Sequence, residues 1–129
     1  MPSLSTPPVS IDGFTLEPNQ VGDQVTVRLV GNADMSVTTK LGPYLDKLHA
    51  EALSLGVKRM TFDIRELYFL TSSSLKCFAT MLAAVAQLDS ARQYRVRFLA
   101  NSNLHWQRRS LEALRCVAQN VIEIETSVT

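Results

Sequence analysis

The sequence predicts a single α/β domain built on a mixed, mostly parallel sheet of about five strands with three main helices packed on it. Three observations carry that expectation. Segments with the two-residue period of strands alternate along the chain with segments in which apolar residues recur every three or four positions, the series that gives a parallel sheet joined by right-handed helical crossovers. The chain is 129 residues long, enough for one core and too short for two. About half of it is apolar and roughly a fifth charged, the composition of a soluble globular domain.

Residues 1–12 read as a flexible tail and 13–127 as the domain. The first ten residues hold three prolines and three serines but neither a basic start nor an apolar stretch, so they do not form a signal peptide. Phe14 to Glu17 reads as a short strand, and the turn at Asn19 to Asp23 leads into a second strand, Val25 to Val30, with Val25, Val27 and Leu29 on one face. In the first helix, Ser36 to Leu55, Leu41, Leu45, Leu48, Ala52 and Leu55 form one stripe. Pro43 leaves two starts open, one at Pro43 itself and one near Ser36 with a distorted first turn, and the second is the reading adopted. Gly56 ends that helix, and Arg59 to Ile64 follows as a buried strand.

The second helix, about Ser72 to Leu88, carries two apolar stripes. Leu75, Phe78, Ala79, Leu82 and Ala86 form one, and Cys77, Met81, Ala84 and Leu88 the other, leaving Lys76, Thr80 and Gln87 as a narrow polar strip. Such a helix is either deeply buried or offers its second face to a partner. A strand from Tyr94 to Leu99, a helix from about Leu104 to Val117 and a strand from Val121 to Glu125 complete the series.

Thirteen basic residues against twelve acidic ones create no field that would gather nucleic acid or an anionic membrane. Arg108, Arg109 and Arg115 read as a solvated helix face, with a basic docking patch as the alternative. The longest apolar window, Phe78 to Leu88, is far shorter than the roughly 20 residues needed to span a bilayer. Cys77 and Cys116 both lie in helices and make no disulfide framework, which points to a reducing, cytoplasmic setting. His49 and His105 have no metal-ligand spacing, the five glycines occur singly, and no nucleophile sits beside a base in sequence. The chain is therefore expected to be no enzyme, to hold no metal and to need no cofactor.

Three places line up with one family. The strand Val25 to Val30 running into Gly31-Asn32-Ala33-Asp34, the strand Arg59 to Ile64 with the apolar loop Leu67-Tyr68-Phe69-Leu70, and the helix start Thr71-Ser72-Ser73-Ser74-Leu75 together resemble STAS domains, and in particular bacterial anti-sigma factor antagonists. The resemblance covers roughly Phe14 to Glu125. It implies a protein-binding switch that engages a kinase-type anti-sigma factor and is phosphorylated at the serine after the motif's aspartate. That position is Ser72 here, with Ser73 beside it. It also implies a partner surface containing Asp34, Thr71, Ser72, Ser74 and Lys76. Two positions depart from the pattern, Thr71 standing in place of aspartate and Ser74 in place of glycine. They keep alive a second reading, an adaptor subunit of a transport or signalling complex that is never phosphorylated and docks through the second face of the second helix. Self-association as a homodimer is left open.

Bare physical chemistry offers each of these residues a plainer role. Thr71 or Ser72 can cap the second helix, contributing about 1 kcal/mol over alanine. Asp34 can cap the first. Asp63 reads as a structural polar group at a strand end, and Leu67 to Leu70 as core, because large residues are needed beneath the second helix.

Overall fold

The computed structural model describes residues 6–11 and 13–127, and nine elements follow one another along them. They are β1 (Val9–Ile11), β2 (Phe14–Val21), β3 (Gln24–Ala33), α1 (Met35–Leu55), β4 (Arg59–Leu70), α2 (Ser72–Ala86), β5 (Arg95–Asn101), α3 (His105–Val117) and β6 (Ile122–Ser127). The six strands lie side by side in sequence order. β1, β2 and β3 pair antiparallel, and β3 to β6 pair parallel. Each parallel crossover advances one strand in the same direction, so right-handed connections place α1, α2 and α3 on one face of the sheet.

That face holds the core. Val25, Val27 and Leu29 of β3, Met60 and Phe62 of β4, and Val96 and Phe98 of β5 are buried beneath Leu41, Leu45 and Leu48 of α1 and Phe78, Leu82 and Val85 of α2. Phe62, Phe78 and Phe98 pack as an aromatic trio with ring centroids 5.2 to 5.9 Å apart. The other face is a ladder of charge. Arg59 and Arg95 reach Glu123 at 3.3 and 3.4 Å, and Arg97 reaches Glu125 at 3.5 Å. Arg28 pairs with Glu66.

Two expectations change, and two open readings are decided. The sheet has six strands instead of about five, because part of the segment read as a tail is ordered: Val9–Ile11 pairs with Phe14–Leu16, and Val9 and Ile11 pack against the core. Gly13, at φ +75°, supplies the left-handed residue that such a tight reversal needs. α1 starts at Met35 and runs through Pro43, which is exposed, so the Thr39 carbonyl that loses its donor lies on the solvent side. β4 does not stop at Ile64 but runs to Leu70, so Leu67 to Leu70 is strand, not loop. Lastly, Met81 is 4 % exposed and belongs to the core, while Cys77 and Leu88 are half-buried and Ala84 is exposed, so a core residue interrupts the second stripe of α2. Among the described residues no helix is long and apolar enough to cross a membrane.

Candidate functional site

β3 and β4 end side by side, and α1 and α2 begin there, so the two helix N-termini share one end of the sheet. Asp34 caps α1. It has extended backbone, and its Oδ1 accepts the Ser36 backbone N–H at 2.9 Å and the Ser36 hydroxyl at 2.6 Å. These hydrogen bonds, the hydroxyl's first, hold its carboxyl below the usual carboxylate range. Thr71 caps α2 in the same way, its Oγ1 accepting the Ser74 backbone N–H at 3.0 Å. The Thr71 N–H donates to the Ala33 carbonyl at 3.1 Å, tying the end of β4 to the end of β3.

Three hydroxyls lock the two helices together. Thr38 Oγ1 lies 3.0 Å from Thr71 Oγ1 and 2.7 Å from Ser74 Oγ, and the Thr71–Ser74 separation is 3.0 Å. Ser74 is fully buried in this cluster. The two departures from the motif thus fit one another: threonine caps the helix without a charge, and serine in place of glycine fills the space beneath α1 with a hydroxyl that has partners.

Ser72 and Ser73 stand outside the network. They occupy the first two positions of α2, exposed, next to the cap. Lys76, one turn further along, is also exposed. Neither α1 nor α2 has an acidic residue in its first turn, so Asp34 is the one carboxylate that the two helix starts themselves supply against their positive dipole ends. Of the residues expected on a partner surface, Asp34, Ser72 and Lys76 are accessible, Thr71 is half-buried and Ser74 is inside, and Ser73, the second expected phosphate acceptor, is accessible too.

Sequence reasoning overlooked the apolar part of this end. Met35, Tyr68 and Phe69 are 67, 55 and 48 % exposed. The cause is a pair of irregularities in the β3–β4 ladder: Arg28 faces Asp63 but Val30 faces Glu66, and Gly31 faces Leu67 but Asn32 faces Phe69. At each step β4 advances one residue more than β3. Bulges of this kind turn side chains away from the face that alternation assigns them, and they favour the rims of functional sites. Leu67 stays in the core while Tyr68 and Phe69 are extruded. An aromatic pair directly ahead of a serine run was the available sign.

Asp63 is structural. Burial alone would raise its pKa, but a bidentate contact with Arg65, at 2.9 and 2.8 Å, outweighs that and holds it low. Among the described residues no three metal-ligating side chains come together. Cys77 and Cys116 are both free.

No protein-family model and no curated protein matches the sequence. Solved structures do match the fold. An anti-sigma factor antagonist from Mycobacterium paratuberculosis superposes with a TM-score of 0.63 at 17 % identity, over 88 % of each chain. A chain from the complex of the diguanylate cyclase SiaD with its activator SiaC, from Pseudomonas aeruginosa, superposes at 0.63 with 16 % identity over 98 % of each chain. The anti-sigma factor antagonist SpoIIAA, in its unphosphorylated form, superposes at 0.53 with 19 % identity over 89 % of each chain. Six strands in sequence order, three helices on one face and helix starts gathered beside the ends of β3 and β4 make this the STAS fold, the architecture of the anti-sigma factor antagonists.

Proposed function

We propose that this chain is a regulatory protein-binding switch of the anti-sigma factor antagonist type, that it docks on a kinase-type anti-sigma factor, and that phosphorylation of Ser72 or Ser73 releases the partner. One observation carries the reading: structural and accessible hydroxyls are separated at the start of α2. Thr71 and Ser74 do the capping and packing, which leaves Ser72 and Ser73 exposed beside Met35, Tyr68 and Phe69. Phe69 precedes Ser72 by three residues at this end of the sheet, and the switch reading has one partner cover both. A phosphate there would be tolerated by the folded domain, since it lies at a helix N-terminus with Lys76 one turn away. It would be excluded from the interface, because it brings nearly two negative charges onto an apolar contact. The chemistry of transfer belongs to the partner.

A second reading, a phosphate-independent adaptor, is favoured by Thr71. A threonine cap leaves the serines without the neighbouring carboxylate of the family pattern, and an apolar patch needs no modification to bind. Its docking surface is then Met35, Tyr68 and Phe69, because Met81 is buried. Calorimetric titration against kinase-type anti-sigma factors of the source organism separates the readings. The switch requires binding by the wild type, loss of at least about tenfold in affinity for Ser72→Asp or Ser73→Asp, and comparable loss for Phe69→Ser. Binding indifferent to both aspartates but lost with Phe69→Ser selects the adaptor. Binding indifferent to all three substitutions removes this end of the sheet as the partner surface.

A further inference from the structure

The two edges of the sheet are unequally protected. At one edge β1 has only three residues, and the stretch of β2 beyond it carries Pro18, a combination that discourages strand pairing. At the other edge β6 runs six residues, pairs with β5 alone among the described residues and holds no proline. Its glutamates do not guard it: Glu123 is drawn towards Arg59 and Arg95 and Glu125 towards Arg97, back across the open face of the sheet.

Beside that edge, on the helix side, lies a groove of about 470 Å³ between α3 and β6. Leu111 of α3 and Ile124 of β6 supply apolar lining. Arg108, Glu112 and Arg115 follow along the same stripe of α3 as Leu111. Arg115 is paired with Glu112 at 3.4 Å, whereas Arg108 has no ion pair or hydrogen bond among the described residues. The wall is fixed in place. Gln107, buried, accepts the Asn101 N–H at 2.8 Å and donates to the carbonyls of Ile64 at 2.6 Å and Leu67 at 3.1 Å, which bolts the start of α3 to β4 and β5.

We infer that the groove between α3 and the free edge of β6 is a second docking surface, which takes an extended acidic segment of a partner protein as a seventh strand. The unpaired side of β6 offers backbone donors and acceptors along the groove, as strand addition requires. Alternate side chains of the added strand would point into the groove, apolar ones onto Leu111 and Ile124 and an acidic one towards Arg108. Two arginines against one glutamate on the groove face set the sign of the preferred segment. A small organic anion would match the arginine but leave the strand edge unused. The surface shares no residue with Ser72, Ser73, Tyr68 or Phe69, so it stands or fails apart from the switch.

The test is fluorescence anisotropy of the full chain with a labelled peptide in which threonine occupies every second position and valine and glutamate take turns at the positions between, so that both face the groove, with binding located by amide chemical shifts. Micromolar binding is expected, with shifts confined to α3, β5 and β6. Arg108→Glu should weaken it by about tenfold or more, N-methylation of alternate peptide amides should abolish it, and Phe69→Ser should leave it unchanged. The inference is overturned by absence of binding at millimolar peptide, by equal binding of a valine–lysine peptide, or by shifts elsewhere. Full binding of the N-methylated peptide would overturn it in favour of small-anion recognition, and a dimer in sedimentation with protected β6 amides in favour of a second copy.

Discussion

Gly31 marks the closest approach of backbone to backbone around the site. It sits at φ +104°, and a Cβ there would meet the Gly13 carbonyl oxygen at 1.9 Å, while the neighbouring Asn32 N–H donates to that same oxygen at 2.8 Å. Neither backbone can retreat without breaking the β2–β3 ladder. Gly31→Ala is therefore expected to cost about 3 kcal/mol in denaturant unfolding, from strain and overpacking together. An unchanged midpoint would mean that the turn from β1 into β2 is not held as described. The hydroxyls permit a sharper contrast. Thr71→Val removes the cap of α2 and strands the buried Ser74 N–H, a loss of about 2 kcal/mol, whereas Ser72→Ala should change stability by less than about 0.5 kcal/mol. The reverse order would make Ser72 the cap and leave Thr71 free. From the sequence, Thr71 and Ser72 are equally good caps, since the choice rests on which residue holds extended backbone, and that follows from where β4 ends.

At the scale of elements, β4 and α2 govern what the site presents. The periodicity of α1, α2 and α3 and the alternation in β3 were legible because each buries one stripe or face against the core. The far half of β4 was not. Arg65 and Glu66 interrupt its apolar run, and two irregularities of register break the alternation on which a strand is read. The same event hides the apolar rim, because Tyr68 and Phe69 look like core by composition and become surface by register. β1 was missed for a related reason: three residues after two prolines have too little pattern to announce a strand. α2 illustrates the opposite error, since its second stripe suggested a face for a partner, yet Met81 is buried and Cys77 half-buried, because α2 lies between α1 and α3.

Across the whole molecule, the proposed switch surface and the opposite end of the core are held by different chemistry. Away from the site, His49 of α1 meets Tyr94, just before β5, with Nδ1 and the phenolic oxygen 2.6 Å apart. Burial lowers the His49 pKa below the ordinary imidazole value, with Asp46 opposing that shift and Arg92 adding to it. A histidine whose folded pKa is depressed favours folding while it is neutral, so its contribution is present above the unfolded pKa of about 6.5 and is lost as the pH falls below it. Thermal midpoints should therefore decline between about pH 7.5 and pH 5 more steeply in the wild type than in His49→Gln, which retains an acceptor for Tyr94. Equal slopes would assign the acid sensitivity to other groups. Phosphorylation-dependent control, by contrast, needs no change in the fold: the serines are already exposed, and the helices behind them are joined by the Thr38, Thr71 and Ser74 hydroxyls. The most direct measurement is peptide mapping by mass spectrometry of the protein purified from its native host under several growth conditions. The switch predicts phosphate on Ser72 or Ser73 and none on Ser74; serines that stay unmodified under every condition would contradict it.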